Sequence, residues 1–132
     1  PATPADADVW LGDSLGEMAL YYGLADVALL GGSFAPLGGQ NLIEAIACGC
    51  PVVLGPHTFN FAEAAALACK QGVAHRVPDI GQGVQQACEL ATNAPRLAAA
   101  RGLTQDFTLQ HRGAARLTAT AIRALLGIPA TP

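Results

Sequence analysis

Short apolar runs that alternate with helical stretches across very short connections constrain this chain more than any other feature. Val9-Trp10-Leu11, Val27 to Leu30, Val52 to Leu54 and Val73 to Val77 are each closed by Gly, Pro or Asp and read as buried strands. Between them, Leu15 to Tyr22, Leu42 to Cys48 and Phe61 to Gln71 repeat apolar residues three or four apart, the spacing that gives a helix one apolar face. Strand, helix and strand joined this tightly demand a parallel sheet with right-handed crossovers. After Val77 the strand pattern stops. Ile80 to Thr92, Pro95 to Gln110 and Ala114 to Leu126 are predicted as three helices, with Pro95 at a helix start and Gly127-Ile128-Pro129 ending the last. The fold class is therefore α/β: a parallel sheet of about four strands, flanking helices and a helical C-terminal tail. The domain is expected over 9–127, with loose segments at 1–8 and 128–132.

Such a sheet needs apolar material on both faces. At 132 residues, 52% hydrophobic and 13% charged, the chain has enough for one core. Its net charge of -3, with seven scattered basic residues, gives no electrostatic footprint for nucleic acid or an anionic membrane. No apolar run approaches the roughly 20 residues of a membrane helix, and the N-terminus lacks the form of a signal peptide. Cys48, Cys50, Cys69 and Cys88 lie in alanine-rich helical segments without histidine at metal-ligand spacing, so they are expected as buried reduced thiols. Cys48-Gly-Cys50 lacks the two-residue spacer of redox and zinc motifs.

The connection GGSFAPLGGQN, residues 31–41, sets two glycine pairs between a strand and a helix. Glycine permits tight turns and lets a ligand approach the backbone, at an entropic cost to folding. The loop is read as a cradle for the phosphate of a ligand, with a purely structural turn as the rival reading. Ser14-x-x-Glu17, Asn41-x-x-Glu44 and Asn60-x-x-Glu63 each place a capping residue three before a glutamate. Singly, each reads as a capping box. Together they mark helix starts at the carboxyl edge of the sheet, where open α/β sheets bind ligands and helix amides favour anions. Glu44 would repel a phosphate that faced it, but it suits a pair of ribose hydroxyls, so the pattern is that of a nucleotide site. Neither GxGxxG nor GxxxxGK[ST] occurs, which removes the main support for dinucleotide and P-loop readings.

The run GDSLGEMALYYGLADVALLGGSFAPLGGQNLIEAIACGCPVVLGPHTFNFAEAA carries D-S-x-G-E-M, A-D-V-A-x-x-G-G-S, G-G-x-N-x-x-E and G-P-H-T-x-N-F. In these motifs, over about residues 9–75, the chain resembles the carboxyl-terminal part of the 3-deoxy-D-manno-octulosonic acid (Kdo) transferases. These are GT-B glycosyltransferases that use CMP-Kdo to build the inner core of lipopolysaccharide. The resemblance implies part of a Rossmann-like, CMP-sugar-binding C-terminal domain. Gly31, Gly32, Ser33, Gly38, Gly39, Gln40 and Asn41 would line the phosphate side and Glu44 would hold the ribose. By looser analogy, Gly16, Glu17 and Met18 would border the base, and His57, Asn60 and Phe61 would face the donor sugar or the cleft. Gln40 stands where many members carry His, so no histidine role is carried over there.

The resemblance further implies inverting transfer of Kdo to a lipid A precursor at the cytoplasmic face of the bacterial inner membrane. No metal is implied, because no cluster of carboxylates or histidines is spaced to bind one, and no cofactor is expected. In the family, an acceptor domain with a membrane-associating segment and the carboxylate base precedes this region. The 132 residues by themselves are therefore expected to be inactive, soluble and prone to self-association through an apolar edge near Val9 to Leu11. A sugar-nucleotide 2-epimerase-like domain and a non-enzymatic association domain are the alternatives. The epimerase would also set a glutamate on the ribose but does not suit G-P-H-T-x-N-F.

Overall fold

The computed structural model describes residues 6–129. The expected loose ends therefore lie partly outside the described residues, at 1–5 and 130–132. Three strands, β1 (Ala28–Leu30), β2 (Val52–Leu54) and β3 (Ala74–Arg76), form one parallel sheet in the order β1-β2-β3. Ala28 is opposite Val52, and Val52 is opposite Ala74. The helices are α1 (Met18–Leu24), α2 (Leu42–Ala47), α3 (Ala62–Lys70), α4 (Ile80–Thr92), α5 (Ala94–His111) and α6 (Ala114–Leu125).

The central strand is apolar on both sides because both of its sides are covered: Val52, Val53 and Leu54 are all fully buried. Ala28, Leu30, Val52 and Leu54 share a core with Leu42, Ala45 and Ile46 of α2 and Ala65 and Ala68 of α3. Leu29 alternates to the other face, where Gly83 of α4 comes so close that a Cβ there would lie 3.1 Å from the leucine side chain. Helices α2 and α3 each end in a six-to-one turn, with Cys50 N–H on the Ala45 carbonyl and Val73 N–H on the Ala68 carbonyl. Gly49 and Gly72, at φ +79° and +75°, make those turns possible and deliver the chain straight into β2 and β3.

Several expectations are corrected. Val9-Trp10-Leu11 is no strand: its side chains are 87%, 60% and 80% exposed, and the sheet has three strands rather than about four. A strand exists only with a ladder partner, and β1 is bonded to β2 alone among the described residues. The first helix begins at Met18 rather than Leu15, because Gly16 turns the chain at φ +81° ahead of it. Among the described residues no helix is long and apolar enough to cross a membrane.

Of the four free cysteines only Cys50 is buried; Cys88 is exposed on α4, and Cys48 and Cys69 are intermediate. Burial pushes the Cys50 thiol from 9.0 up to about 11. At pH 8 roughly one Cys50 in a thousand would then be thiolate, the form that reacts. Timed iodoacetamide labelling read by mass spectrometry is expected to modify Cys88 first and Cys50 last. Faster labelling of Cys50 than of Cys88 would contradict this placement.

Candidate functional site

Two loops meet at the carboxyl ends of β1 and β2. One runs from a 3-10 turn at Gly31–Ser33 to the start of α2; the other is Gly55-Pro56-His57-Thr58, followed by a 3-10 turn at Phe59–Phe61. Ser33 joins them from inside. Its fully buried hydroxyl donates to the Leu30 carbonyl and accepts from the Gly55 amide at 2.7 Å. Its carbonyl accepts from the His57 amide at 2.9 Å. The Ser33 side chain, expected on the phosphate side, is thus committed within the protein.

The two glycine pairs of 31–41 do different work. Gly38 and Gly39 hold φ of +89° and +81°, and a Cβ on Gly38 would strike the Asn60 carboxamide and the Phe59 ring. Asn60 donates its amide to the Gly38 carbonyl at 3.2 Å and its side-chain nitrogen to the Leu37 carbonyl at 3.3 Å. This second pair therefore interlocks the loops. In the first pair, Gly32 donates its amide to the Gln40 side-chain oxygen at 3.1 Å, while Gly31 is exposed with nothing near its missing Cβ.

Beside Gly31 opens a pocket of about 490 Å³. Met18, Tyr21, Tyr22 and Ala25 line one side, Ala28 to Gly31 the floor, and Gln40, Asn41 and Glu44 the far wall. Asn41 caps α2, its side-chain oxygen accepting from the Ile43 amide at 3.1 Å. Glu44 is exposed at the pocket wall, in the first turn of that helix. The Gln40 and Asn41 amides make no hydrogen bond among the described residues. Burial, and after it the Glu44 carboxylate, raises the Tyr22 hydroxyl above the usual phenol range, so it stays protonated in this pocket.

Asn41 alone of the three expected capping residues forms a cap. Ser14 instead donates to the Glu17 carboxylate and shares a 2.7 Å hydrogen bond with the Tyr21 hydroxyl, and α1 has no side-chain cap. Asn60 sits inside the 3-10 turn, and Phe61 precedes α3 without a side-chain cap. Thus the structure gathers Met18, Gly31, Gln40, Asn41 and Glu44 around one pocket. Gly16 and Glu17 are exposed ahead of α1, and Phe61 packs against the core. His57 lines a second, more open hollow of about 480 Å³ with Pro56, Thr58, Phe59, Ala62 and Arg76.

Sequence reasoning missed Tyr21, Tyr22 and Arg76. Tyr21 and Tyr22 fall in the predicted helix Leu15 to Tyr22 and Arg76 in the predicted strand Val73 to Val77, and none of the three carries a site role there. No local signal marks Arg76, whose hydrogen-bond partners lie 18 to 21 residues back in the chain. Among the described residues, no group of three or more His, Cys, Asp or Glu side chains could hold a metal ion.

A parallel α/β sheet with a pocket beyond the carboxyl end of its edge strand, walled by a capped helix and a carboxylate, is the frame of a ligand-binding domain. No protein-family model matches the chain. It is 51% identical over 120 residues, 91% of its length, to 3-deoxy-D-manno-octulosonic acid transferase of Bordetella pertussis. It is 50% identical over 58 residues to the transferase of the same name from Haemophilus influenzae (strain ATCC 51907 / DSM 11121 / KW20 / Rd). The chain spans only 28% and 14% of those two proteins. Its fold superposes with TM-score 0.67 and 27% identity on the C-terminal CMP-Kdo binding domain of WaaA from Acinetobacter baumannii, covering 72% of this chain and 50% of that one. By these matches the chain is a homologue of part of the Kdo transferases.

Proposed function

We propose that this chain is the donor-binding part of a glycosyltransferase of the GT-B kind and takes the CMP end of CMP-Kdo into the pocket between α1 and α2. The observation that carries the reading is the placement of Glu44 with Asn41, Gln40 and Gly31 on one pocket, in a chain related to a CMP-Kdo binding domain. A nucleoside monophosphate fits the groups available. The carboxylate of Glu44 accepts from the two ribose hydroxyls, and the Gln40 and Asn41 amides and exposed Gly31 serve the phosphate. The rings of Tyr21 and Tyr22 and the Met18 side chain offer apolar surface to the base.

In the parent protein the reaction would be inverting transfer of Kdo to a lipid A precursor hydroxyl at the inner membrane. Breaking the bond between sugar and phosphate leaves negative charge on CMP. Fixed backbone amides can stabilise that charge without a proton transfer. The acceptor and its base are assigned to no residue of this chain.

Titrating the chain with CMP while following backbone amide NMR signals tests the reading. Gly31 to Ser33 and Gly38 to Ile43 are expected to shift together and saturably, with the α6 signals unmoved. Shifts confined to the α5 and α6 surface, or none at millimolar CMP, would overturn it.

A further inference from the structure

Of the seven Lys and Arg residues, Arg76 alone stands at the carboxyl end of a strand; the others lie on or just beyond α3, α5 and α6. Its guanidinium reaches across to the loop that follows the neighbouring strand. One nitrogen donates to the Gly55 carbonyl at 2.9 Å and to the Pro56 carbonyl at 3.3 Å; another donates to the Thr58 hydroxyl at 2.9 Å. On its other side the same turn is held by Ser33, through the Gly55 and His57 amides. The Gly55–Thr58 turn is thus gripped at its amides from the end of β1 and at its carbonyls from the end of β3. What it presents between those grips is the half-buried imidazole of His57.

We propose that Arg76 is a positioning residue for the sugar end of the donor: it fixes the Gly55–Thr58 turn, and with it His57, in the shape that receives the part of CMP-Kdo beyond the phosphate. The proposal rests on the donor-binding function proposed above. The geometry carries it because the planar fork of arginine spans three acceptors on one turn at once, which the single ammonium of lysine does not. The turn does not line the pocket assigned to CMP, so loosening it from the β3 side, with the Ser33 links to the neighbouring loop kept, should affect the sugar and spare the nucleotide. The open hollow beside the turn leaves room for a sugar-sized group.

Calorimetric binding of CMP and of CMP-Kdo to the chain and to its R76Q and R76K variants tests this. Wild type is expected to bind CMP-Kdo more tightly than CMP. R76Q should keep CMP affinity within about twofold and lose CMP-Kdo affinity about tenfold, so that the two ligands become nearly equal. R76K should recover part of the difference. Thr58→Val, which removes one acceptor and leaves the arginine, should lower CMP-Kdo affinity in the same sense by a smaller factor, and it carries the test should R76Q not fold. Equal losses for both ligands, or no loss for either, would overturn the positioning role. CMP bound by wild type no less tightly than CMP-Kdo would sink this proposal alone, whereas no CMP binding at all would sink the donor-site reading beneath it.

Discussion

Gly55→Ala is expected to be among the most destabilising single-methyl changes available in this chain. A Cβ on Gly55 would lie 2.5 Å from the Ser33 carbonyl oxygen and 2.8 Å from a ring carbon of Phe34. The first of these is backbone, held in place by the His57 amide that donates to it at 2.9 Å, so neither side can give without breaking the link between the β1 and β2 loops. Overpacking of this kind costs about 1–3 kcal/mol, and the strained loop loses the Gly55 amide bond to the Ser33 hydroxyl as well. Gly102→Ala in α5 makes the contrasting control. Nothing lies within 4 Å of its added methyl, and exchanging glycine for alanine inside a helix gains about 0.5–1 kcal/mol. Urea unfolding of the two variants should move the midpoint in opposite directions. A Gly55→Ala midpoint equal to wild type would mean that the loops are not packed as described.

That contrast bears on what the sequence could disclose. β1 and β2 were legible because a buried parallel strand must be apolar on both faces, and none of Val52, Val53 and Leu54 is exposed; β3, which runs from buried Ala74 to exposed Arg76, was legible only from the Val73 to Val77 run closed by Pro78. The same local signal misled at Val9 to Leu11, where apolar character had no neighbouring strand to pair with. Helices α4 and α5 appeared nearly to the residue because their caps are local: Asp79 and Asn93 each accept from an amide three residues on. The three S/N-x-x-E boxes show where locality fails. Asn41 caps its helix, but Asn60 is drawn to the Leu37 carbonyl, 23 residues away. Likewise Ser33 looked free to meet a phosphate, yet its hydroxyl serves an amide 22 residues later in the chain. Arg76 was invisible for the same reason, its three acceptors lying 18 to 21 residues back. The pocket-lining residues legible in the sequence, Gly31, Asn41 and Glu44, owe their placement to the local turn from strand to helix.

Replacing Glu44 with glutamine is expected to weaken CMP by about 1.5–3 kcal/mol, the usual worth of a charge-assisted hydrogen bond. The fold should not suffer. Glu44 is exposed in the first turn of α2, Asn41 already caps that turn, and glutamine is itself acceptable at the third helical position of a capping box. The loss should nearly vanish for a cytidine monophosphate lacking both ribose hydroxyls, because the altered side chain then has no partner to lose. An internal control sits in the same pocket. The Glu44 carboxylate, after burial, raises the Tyr22 hydroxyl, so the variant should ionise a tyrosine at lower pH than wild type in an ultraviolet titration, with or without nucleotide. That shift reports that residue 44 still borders the pocket; the affinities then report whether the border is a ribose contact. Equal losses for CMP and its dideoxy analogue, or undiminished affinity for both alongside the shifted tyrosine, would return Glu44 to the role of a helix-start carboxylate that complements the backbone dipole.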